Sequence, residues 1–199
     1  MTPAETQEFC FAPAMVSITK EQVEMTDYLA LPLGEDAPNT VTAVIEVAHR
    51  KATKYDRHAR EFRPVKPLYP PIHLPGNYGF IPQTLCTNGE PLGILMLGDV
   101  STDPGCIRRG RPIGALEIVD HGVQLEKIVA CASSNHRFRF IHNYTDAKPN
   151  VLREIEHVLS LHRDFKGKRI KVLGWKNLRA AHESIRACHA RFVSHENDR

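Results

Sequence analysis

Glycine and proline are concentrated in two adjacent stretches near the middle of the chain, and they limit the local fold more than any other feature. Residues 75–84 have the sequence PGNYGFIPQT, and residues 88–93 have the sequence NGEPLG. Glycine allows backbone angles that other residues resist, whereas proline fixes φ and removes a hydrogen-bond donor. The pattern predicts either two tight turns between strands or a functional site that holds the backbone in place.

The length and composition are typical of one soluble globular domain. The chain has 199 residues, of which 42% are hydrophobic and 25% are charged. This length is sufficient to bury a sizeable core. No apolar run approaches the ~20 residues that span a bilayer, so we expect no membrane insertion.

The cysteines predict a reducing compartment. Five cysteines are scattered along the chain without a C-x-x-C pair, which favours free thiols. The first residues lack the basic flank and apolar core of a secretory signal. We therefore expect the cytoplasm or an organellar matrix.

The net charge of +3 is unevenly distributed along the chain. Residues 1–48 carry a charge of −7, so the remainder carries +10. A basic body favours an anionic partner such as phosphate or a nucleic acid. No aromatic-rich RNA-binding motif accompanies the basic residues, so nucleic acid is the weaker expectation.

The order of the elements predicts an α+β domain. Residues 1–40 are acidic and contain four prolines; they are predicted to wrap the domain, to dock on a partner, or to be disordered. Residues 41–193 form the predicted domain and residues 194–199 a polar tail. Short strands are predicted at residues 41–47, 51–56, 94–97, 113–119, 127–132 and 169–173, with a loop over 57–71 and turns at 103–105, 109–112 and 120–122. This spacing favours a β-barrel or sandwich.

Two helices are predicted after these strands. Apolar residues recur at helical spacing over residues 151–163 and 178–192. Asn150 and Asn177 stand where each helix would begin and are predicted to be N-caps. Each apolar stripe is expected to pack against the barrel.

Five segments, in order, resemble the soluble family I inorganic pyrophosphatases. They are VIEV around Glu46, KYD at residues 54–56, NYGFIPQT at 77–84, PGCI through RPIG at 104–114, and KRIKVLGW at 168–175. The resemblance extends from about residue 41 to 192. It implies a five-stranded OB-like β-barrel flanked by two C-terminal helices, Mg²⁺-dependent hydrolysis of pyrophosphate to two phosphates, and self-association.

The turn at residues 88–93 departs from the pattern of the family. The family holds Mg²⁺ partly through a D-G-D-P-x-D turn. The resemblance places neutral Asn88, Glu90 and Gly93 at its three aspartate positions. Glu90 keeps the charge, so it is a candidate metal ligand and catalytic residue, whereas Gly93 has no side chain.

The later D-x-x-x-x-D-x-K segment of the family also changes here. Asp120 and Lys127 match, but Leu125 stands at the second aspartate position. Glu126 is one residue along, and in a strand it would point to the opposite face. Three of five core carboxylates are therefore missing, and because Mg²⁺ requires oxygen ligands, we expect its binding to be weakened or lost. Glu46 is expected to support the remaining metal ligands without contacting the ion itself.

The phosphate-binding side is more similar to the family. Lys54, Tyr78 and Lys127 match its substrate donors, and Tyr78 is also a candidate catalytic residue. The remaining positions change as follows: Lys66 replaces an arginine, His162 and Arg163 replace a Y-K pair, and Leu74 replaces a tyrosine. The resemblance thus implies a basic pocket for pyrophosphate or phosphate.

Three functions follow from these observations. The first is a degenerate pyrophosphatase relative that serves as a structural or regulatory subunit, as a homo-oligomer or within a larger protein complex. The second is an active Mg²⁺-dependent enzyme that uses Glu90, Asp120 and ligands such as Glu46 or Asp56. The third, a nucleic-acid-binding module, depends on the basic body alone.

Overall fold

The computed structural model describes residues 27–48, 51–56, 59–64, 75–98, 103–120, 122–161 and 170–198. Within these residues the strands are β1 Val41–Ala48, β2 Lys51–Asp56, β3 Glu61–Pro64, β4 Gly76–Ile81, β5 Leu92–Leu97, β6 Ile107–Asp120, β7 Val123–Ala132 and β8 Lys171–Lys176. The helices are α1 Pro149–Leu161 and α2 Leu178–Asn197, and two short 3-10 turns lie at His136–Phe138 and Tyr144–Asp146. His162, Arg163, Lys66 and Leu74 lie outside the described residues.

Five of the strands close into a barrel. Their order is β1-β4-β5-β7-β6, and a further pairing of β1 with β6 completes the ring. The β5–β7 pair is parallel, whereas the other pairs in the ring are antiparallel. Strands β2 and β3 extend the sheet from β1, and β8 extends it from β6. The predicted OB-like barrel with two C-terminal helices is therefore confirmed.

The barrel interior is filled by β-branched and aliphatic side chains. Ile45, Ile94 and Ile128 are fully buried there, each from a different strand. Helix α2 adds Ala181 and Ile185 to the same core. Because apolar residues of α2 recur at helical spacing, one face of this helix covers the barrel, as its sequence predicts.

The glycine-rich stretch at residues 75–84 is mainly a strand rather than a turn. A Cβ at Gly79 would lie 1.9 Å from the carbonyl oxygen of Val44, and one at Gly76 would lie 2.1 Å from that of Met96. The glycines of β4 are therefore required because neighbouring strands approach closely. The turn comes later, around Gln83, which has a positive φ of 52°.

Two other local predictions were wrong. Residues 61–64 were predicted to be loop but form β3, where Phe62 packs against Tyr55 with ring centres 5.1 Å apart. Residues 109–112 were predicted to be a turn but lie inside β6, whose register shifts at the bulge between Pro112 and Gly114. In both segments, hydrogen bonding to neighbouring strands outweighs the loop and turn preferences that the arginines and prolines indicate.

Helix α1 begins two residues earlier than expected. Its first residue is Pro149, where a missing N–H costs nothing because the first amides have no intrahelical partner. Asn150 therefore lies inside the helix and is not its N-cap. Asn177 does cap α2, because its side chain accepts a hydrogen bond from the N–H of Ala180 at 3.0 Å.

Residues 27–40 pack along the outside of the barrel. The ring of Tyr28 lies against Tyr55 and Phe62, at centroid distances of 5.4 and 5.1 Å. The N–H of Thr42 donates to the carbonyl of Leu33 at 2.7 Å. Residues 1–26 lie outside the described part, so the domain boundary at residue 41 stays a prediction. None of the helices within the described ranges is long and apolar enough to cross a membrane.

Candidate functional site

The predicted site residues within the described ranges lie together on one side of the barrel. Glu46 comes from β1, Lys54 from β2, Tyr78 from β4 and Lys127 from β7. Glu90 comes from the turn between β4 and β5. Four strands and one turn thus bring five of the expected side chains into one cluster, called here the basic pocket.

Lys54 and Glu90 form an ion pair at the edge of the basic pocket. The distance from Lys54 Nζ to Glu90 Oε2 is 3.2 Å, and the side chains are 48% and 46% exposed. Water screens such a pair, so it contributes no more than about 1 kcal/mol to stability. The pair nevertheless directs the Glu90 carboxylate towards an ammonium group.

Glu46 lies deeper and is held by the backbone of β2. Its Oε1 accepts a hydrogen bond from the N–H of Tyr55 at 2.8 Å. Burial raises the pKa of Glu46, and this effect exceeds the opposing influence of the Tyr55 N–H, Lys54 and Lys127. This carboxyl group therefore holds its proton more tightly than an exposed glutamate.

Lys127 is the cation at the centre of the basic pocket. Its Nζ lies 5.7 Å from the centre of the Tyr78 ring, and the ammonium also donates a hydrogen bond to the Tyr78 hydroxyl. Burial acts to lower the pKa of Lys127, but the combined influence of Tyr78, Cys86 and Asp120 raises it above its usual value. Lys127 therefore holds its proton more tightly than an exposed lysine does.

Gly93 leaves the space that Lys127 and Tyr78 fill. A Cβ at residue 93 would lie 2.4 Å from the Tyr78 hydroxyl oxygen and 2.9 Å from Lys127 Nζ. No side chain fits there unless these two groups move. The position to which the resemblance assigns an aspartate is thus occupied by a phenol and an ammonium.

A tight turn positions Glu90 at the rim. The Thr84 hydroxyl donates to the Ile81 carbonyl at 2.5 Å and accepts from the Leu92 N–H at 2.9 Å. Inside this frame the Asn88 side chain accepts from the N–H of Glu90 at 3.1 Å. Asn88 therefore stabilises the turn through an amide oxygen, in keeping with the turn chemistry of asparagine.

The residues of the β6–β7 hairpin divide between the two faces of the sheet. Asp120 ends β6 and lies within electrostatic range of Lys127. Leu125 is buried in the core. Glu126 lies near Lys176, Glu117 and Glu183, and burial raises its pKa. Glu126 thus points away from the basic pocket, as the alternation of a strand predicts.

One further predicted ligand has partners on β3 and in the turn before it, and two others lie outside the described residues. Asp56, considered as an alternative metal ligand, forms an ion pair with Arg63 at 3.0 Å. It also accepts from the N–H of Ala59 at 3.0 Å. Asp56 is therefore held by β3 and the turn before it. The predicted phosphate ligands Lys66 and Arg163 fall outside the described residues, so they stay predictions.

The residues of the basic pocket do not fit Mg²⁺. This ion requires a near-octahedral shell of oxygen ligands, commonly carboxylates and waters. No group of three or more His, Cys, Asp or Glu side chains in the described part of the chain could hold a metal ion. Glu90 is paired with Lys54, and a lysine amine lies beside Gly93. Electrostatic repulsion from two ammonium groups further disfavours a divalent cation.

Sequence analysis missed the neighbour of Lys127 on the core side. Cys86 influences the pKa of Lys127 and lies 3.6 Å, sulfur to sulfur, from Cys188. These two cysteines are 102 residues apart in sequence. No local pattern could have revealed the contact, because neither cysteine belongs to a recognisable motif.

Comparison with known proteins gives one consistent family. A sequence model described as "Inorganic pyrophosphatase" matches residues 43–193. A Thermus thermophilus protein named inorganic pyrophosphatase is 34% identical over 173 residues, covering 84% of this chain and 99% of that protein. One from Agrobacterium fabrum with the same name is 33% identical over 162 residues, covering 78% and 92%. The crystal structure of inorganic pyrophosphatase from Thermus thermophilus matches with a TM-score of 0.80 at 32% identity, covering 84% of this chain and 99% of that one.

Proposed function

Because the chain belongs to the inorganic pyrophosphatase family, we propose that it is a catalytically degenerate member serving as a structural or regulatory subunit of a larger assembly. Members of this family hydrolyse pyrophosphate with Mg²⁺. That chemistry requires metal ions to neutralise the substrate and to generate a hydroxide. The proposal is that this chain retains the scaffold and the donor side chains but has lost the metal-dependent step.

The arrangement around Gly93 is the observation that carries the proposal. The amine of Lys127 and the hydroxyl of Tyr78 lie where a side chain at residue 93 would project. An internal ammonium offsets negative charge but cannot bind and activate a water as a metal ion does. A site of this composition is suited to holding an anion rather than hydrolysing it.

The donor side of the basic pocket defines the anion that we expect. Lys54 and Lys127 are the cations, and Tyr78 supplies a hydroxyl. Compact ammonium groups bind phosphate oxygens as point charges. We infer that the pocket binds pyrophosphate or phosphate without turnover, and that the bound anion stabilises the chain within its assembly.

Phosphate release tests the proposal directly. Purified full-length chain is incubated with pyrophosphate and Mg²⁺ beside a Glu90→Ala/Asp120→Ala variant, and released phosphate is measured. We expect both proteins to match the uncatalysed background. Mg²⁺-dependent release by the wild type that the double substitution abolishes would refute the proposal.

The assembly is tested separately. The chain is isolated from its source under gentle conditions, and the mass of the intact complex is measured together with the stoichiometry of its components. We expect a homo-oligomer or co-purifying partners in fixed ratio. A monomer without partners at all concentrations would contradict the role as a subunit, whatever the outcome of the activity assay.

Active hydrolysis is the second candidate function. It is favoured by 33–36% identity to relatives named inorganic pyrophosphatase and by the three carboxylates Glu46, Glu90 and Asp120 near Lys54 or Lys127. In this case the carboxylates would have to exchange their ammonium partners for metal. Release that needs Mg²⁺ and disappears in the Glu90→Ala/Asp120→Ala variant would establish it.

A further inference from the structure

We propose that Cys86 and Cys188 form a reversible thiol–disulfide site that links the turn carrying Glu90 to helix α2. The two sulfur atoms are 3.6 Å apart, in a buried contact between chain segments 102 residues apart. Formation of a disulfide requires the sulfurs to approach to about 2.0 Å. The two sulfurs must therefore move closer by about 1.6 Å before a bond can form.

The backbone around the two cysteines holds them in register. The N–H of Leu85 donates to the carbonyl of Cys188 at 2.9 Å. Arg191 Nη1 donates to the carbonyl of Leu85 at 2.7 Å, and His189 Nδ1 lies 2.8 Å from the carbonyl oxygen of Gln83. The loop before the turn is thus attached to α2 next to the sulfur contact, in part by a backbone hydrogen bond at Cys188 itself.

Cys188 is the cysteine suited to react first. The two thiols share one hydrogen bond, in which either sulfur can be the donor. The guanidinium of Arg191 lies beside Cys188, with Nη1 3.9 Å from the sulfur. A thiolate is the nucleophile in thiol oxidation and is stabilised by a nearby cation, so the position of Arg191 favours Cys188 for the attacking role and Cys86 for the resolving role.

The oxidation can be written with a peroxide as the oxidant. The Cys188 thiolate attacks one peroxide oxygen, breaks the O–O bond and becomes a sulfenic acid, while the other oxygen leaves as hydroxide or alkoxide and takes up the proton released by Cys188. Cys86 then attacks the Cys188 sulfur, the S–O bond breaks, and the Cys86 proton leaves with the oxygen as water. Two thiols are oxidised to one disulfide, and one peroxide is reduced by two electrons.

The disulfide would act on the neighbouring turn. The N–H of Cys86 donates to the carbonyl of Glu90 at 2.8 Å, and its carbonyl accepts from the N–H of Gly89 at 3.0 Å. Oxidation therefore fixes the base of the turn to α2 by a covalent bond.

Peptide mapping tests the proposal on the full-length protein. The chain is treated with hydrogen peroxide at a small molar excess, remaining thiols are alkylated, and linked peptides are identified by mass spectrometry. We expect a Cys86–Cys188 cross-link to be the main product and to disappear after dithiothreitol. Wild-type protein in which these two thiols remain alkylatable, or in which other pairings predominate, would overturn the proposal.

Two variants separate a specific site from general oxidation. Cys106 is only partly buried, so Cys106→Ser removes a more accessible thiol and is expected to leave the cross-link unchanged. Cys188→Ser is expected to abolish it and to leave Cys86 reduced. The mapping of the wild type does not depend on whether any variant folds. Absence of the cross-link in the wild type would therefore overturn the proposal even if Cys188→Ser misfolds.

Discussion

The hydroxyl of Tyr78 and the amine of Lys127 occupy the space beside Gly93, where a side chain would otherwise lie. Gly93 and Gly79 both lie where an added Cβ would meet other atoms at less than 3 Å. At Gly93 the nearest atoms belong to side-chain ends, whereas at Gly79 they belong to the backbone of Val44. The two glycines should therefore respond differently to the same substitution.

We expect Gly93→Ala to be tolerated and Gly79→Ala to disrupt the barrel. The alanine methyl at 93 would displace Tyr78 and Lys127, at a cost of about 1–3 kcal/mol. At 79 it would lie 1.9 Å from the Val44 carbonyl oxygen, and β1 and β4 would have to separate. Urea unfolding measures both effects. A Gly79→Ala protein as stable as Gly93→Ala would contradict this explanation of the central stretch.

The buried carboxyl of Glu46 should make stability depend on pH. Burial raises its pKa above the usual value of 4.5, so the folded chain binds this proton more tightly than the unfolded chain. Its contribution is fully present below that value and decreases as the pH rises through the raised pKa. Glu46→Gln removes the titration and keeps an oxygen acceptor for the Tyr55 N–H.

We therefore expect the free energy of unfolding of Glu46→Gln, relative to wild type, to increase as the pH is raised from 4.5. Urea unfolding at a series of pH values provides the measurement. The substitution Glu154→Gln, at an exposed position of α1, is the control for the loss of a carboxylate elsewhere in the chain. An identical pH dependence for wild type and Glu46→Gln would show that Glu46 is not held in this environment.

The two helices begin in different ways, although an asparagine stands near the start of each. Asn177 precedes α2 in extended conformation, and its side chain accepts from the third amide of the helix, that of Ala180. Asn150 is the second residue of α1, after Pro149. Only Asn177 accepts a hydrogen bond from an amide that would otherwise have no partner in the helix.

Asn177→Ala should destabilise the chain by about 1 kcal/mol because an N-cap is lost. Asn150→Ala changes the same chemical group at an exposed position inside the helix and should change stability by no more than about 0.5 kcal/mol. Thermal or urea unfolding compares the two variants. Equal losses would mean that capping does not distinguish these helix starts.

Local sequence predicted the elements whose pattern is self-contained. Strand β1, rich in β-branched residues, and helix α2, with apolar residues at helical spacing, were both recognised from their own residues. Strand β4 was not, because Gly76 and Gly79 are explained only by carbonyl groups of neighbouring strands. Strand β3 was missed since Phe62 is placed by Tyr28 and Tyr55.

The residues of the basic pocket likewise divide into those that the sequence predicted and those that it did not. Lys54, Tyr78, Glu90 and Lys127 were expected together on the strength of a family resemblance, and the barrel brings them together. The ammonium beside Gly93 and the Cys86–Cys188 contact were not expected. Both depend on how side chains from distant strands and helices share space, which no local pattern encodes.

At the scale of the whole molecule, the family's barrel carries a site in which lysines lie beside the remaining carboxylates. The five-strand ring and α2 retain the architecture of the family. Within the basic pocket, Lys127 and Lys54 now neutralise carboxylates that would otherwise attract a cation. Such a chain should be stabilised by an anion alone and should be indifferent to Mg²⁺.

Thermal unfolding with added ligands tests this expectation. A ligand that binds only the folded state stabilises it by about 2.7 kcal/mol at one hundred times its Kd. We expect pyrophosphate in metal-free buffer to raise Tm, and Mg²⁺ without pyrophosphate to leave it unchanged. Lys54→Ala, which removes a half-exposed cation of the basic pocket, should reduce the pyrophosphate effect, whereas Lys171→Ala at an exposed position of β8 should not. A rise in Tm with Mg²⁺ alone that Glu90→Ala abolishes would instead demonstrate a metal site, because the carboxylate would then bind the ion in preference to Lys54.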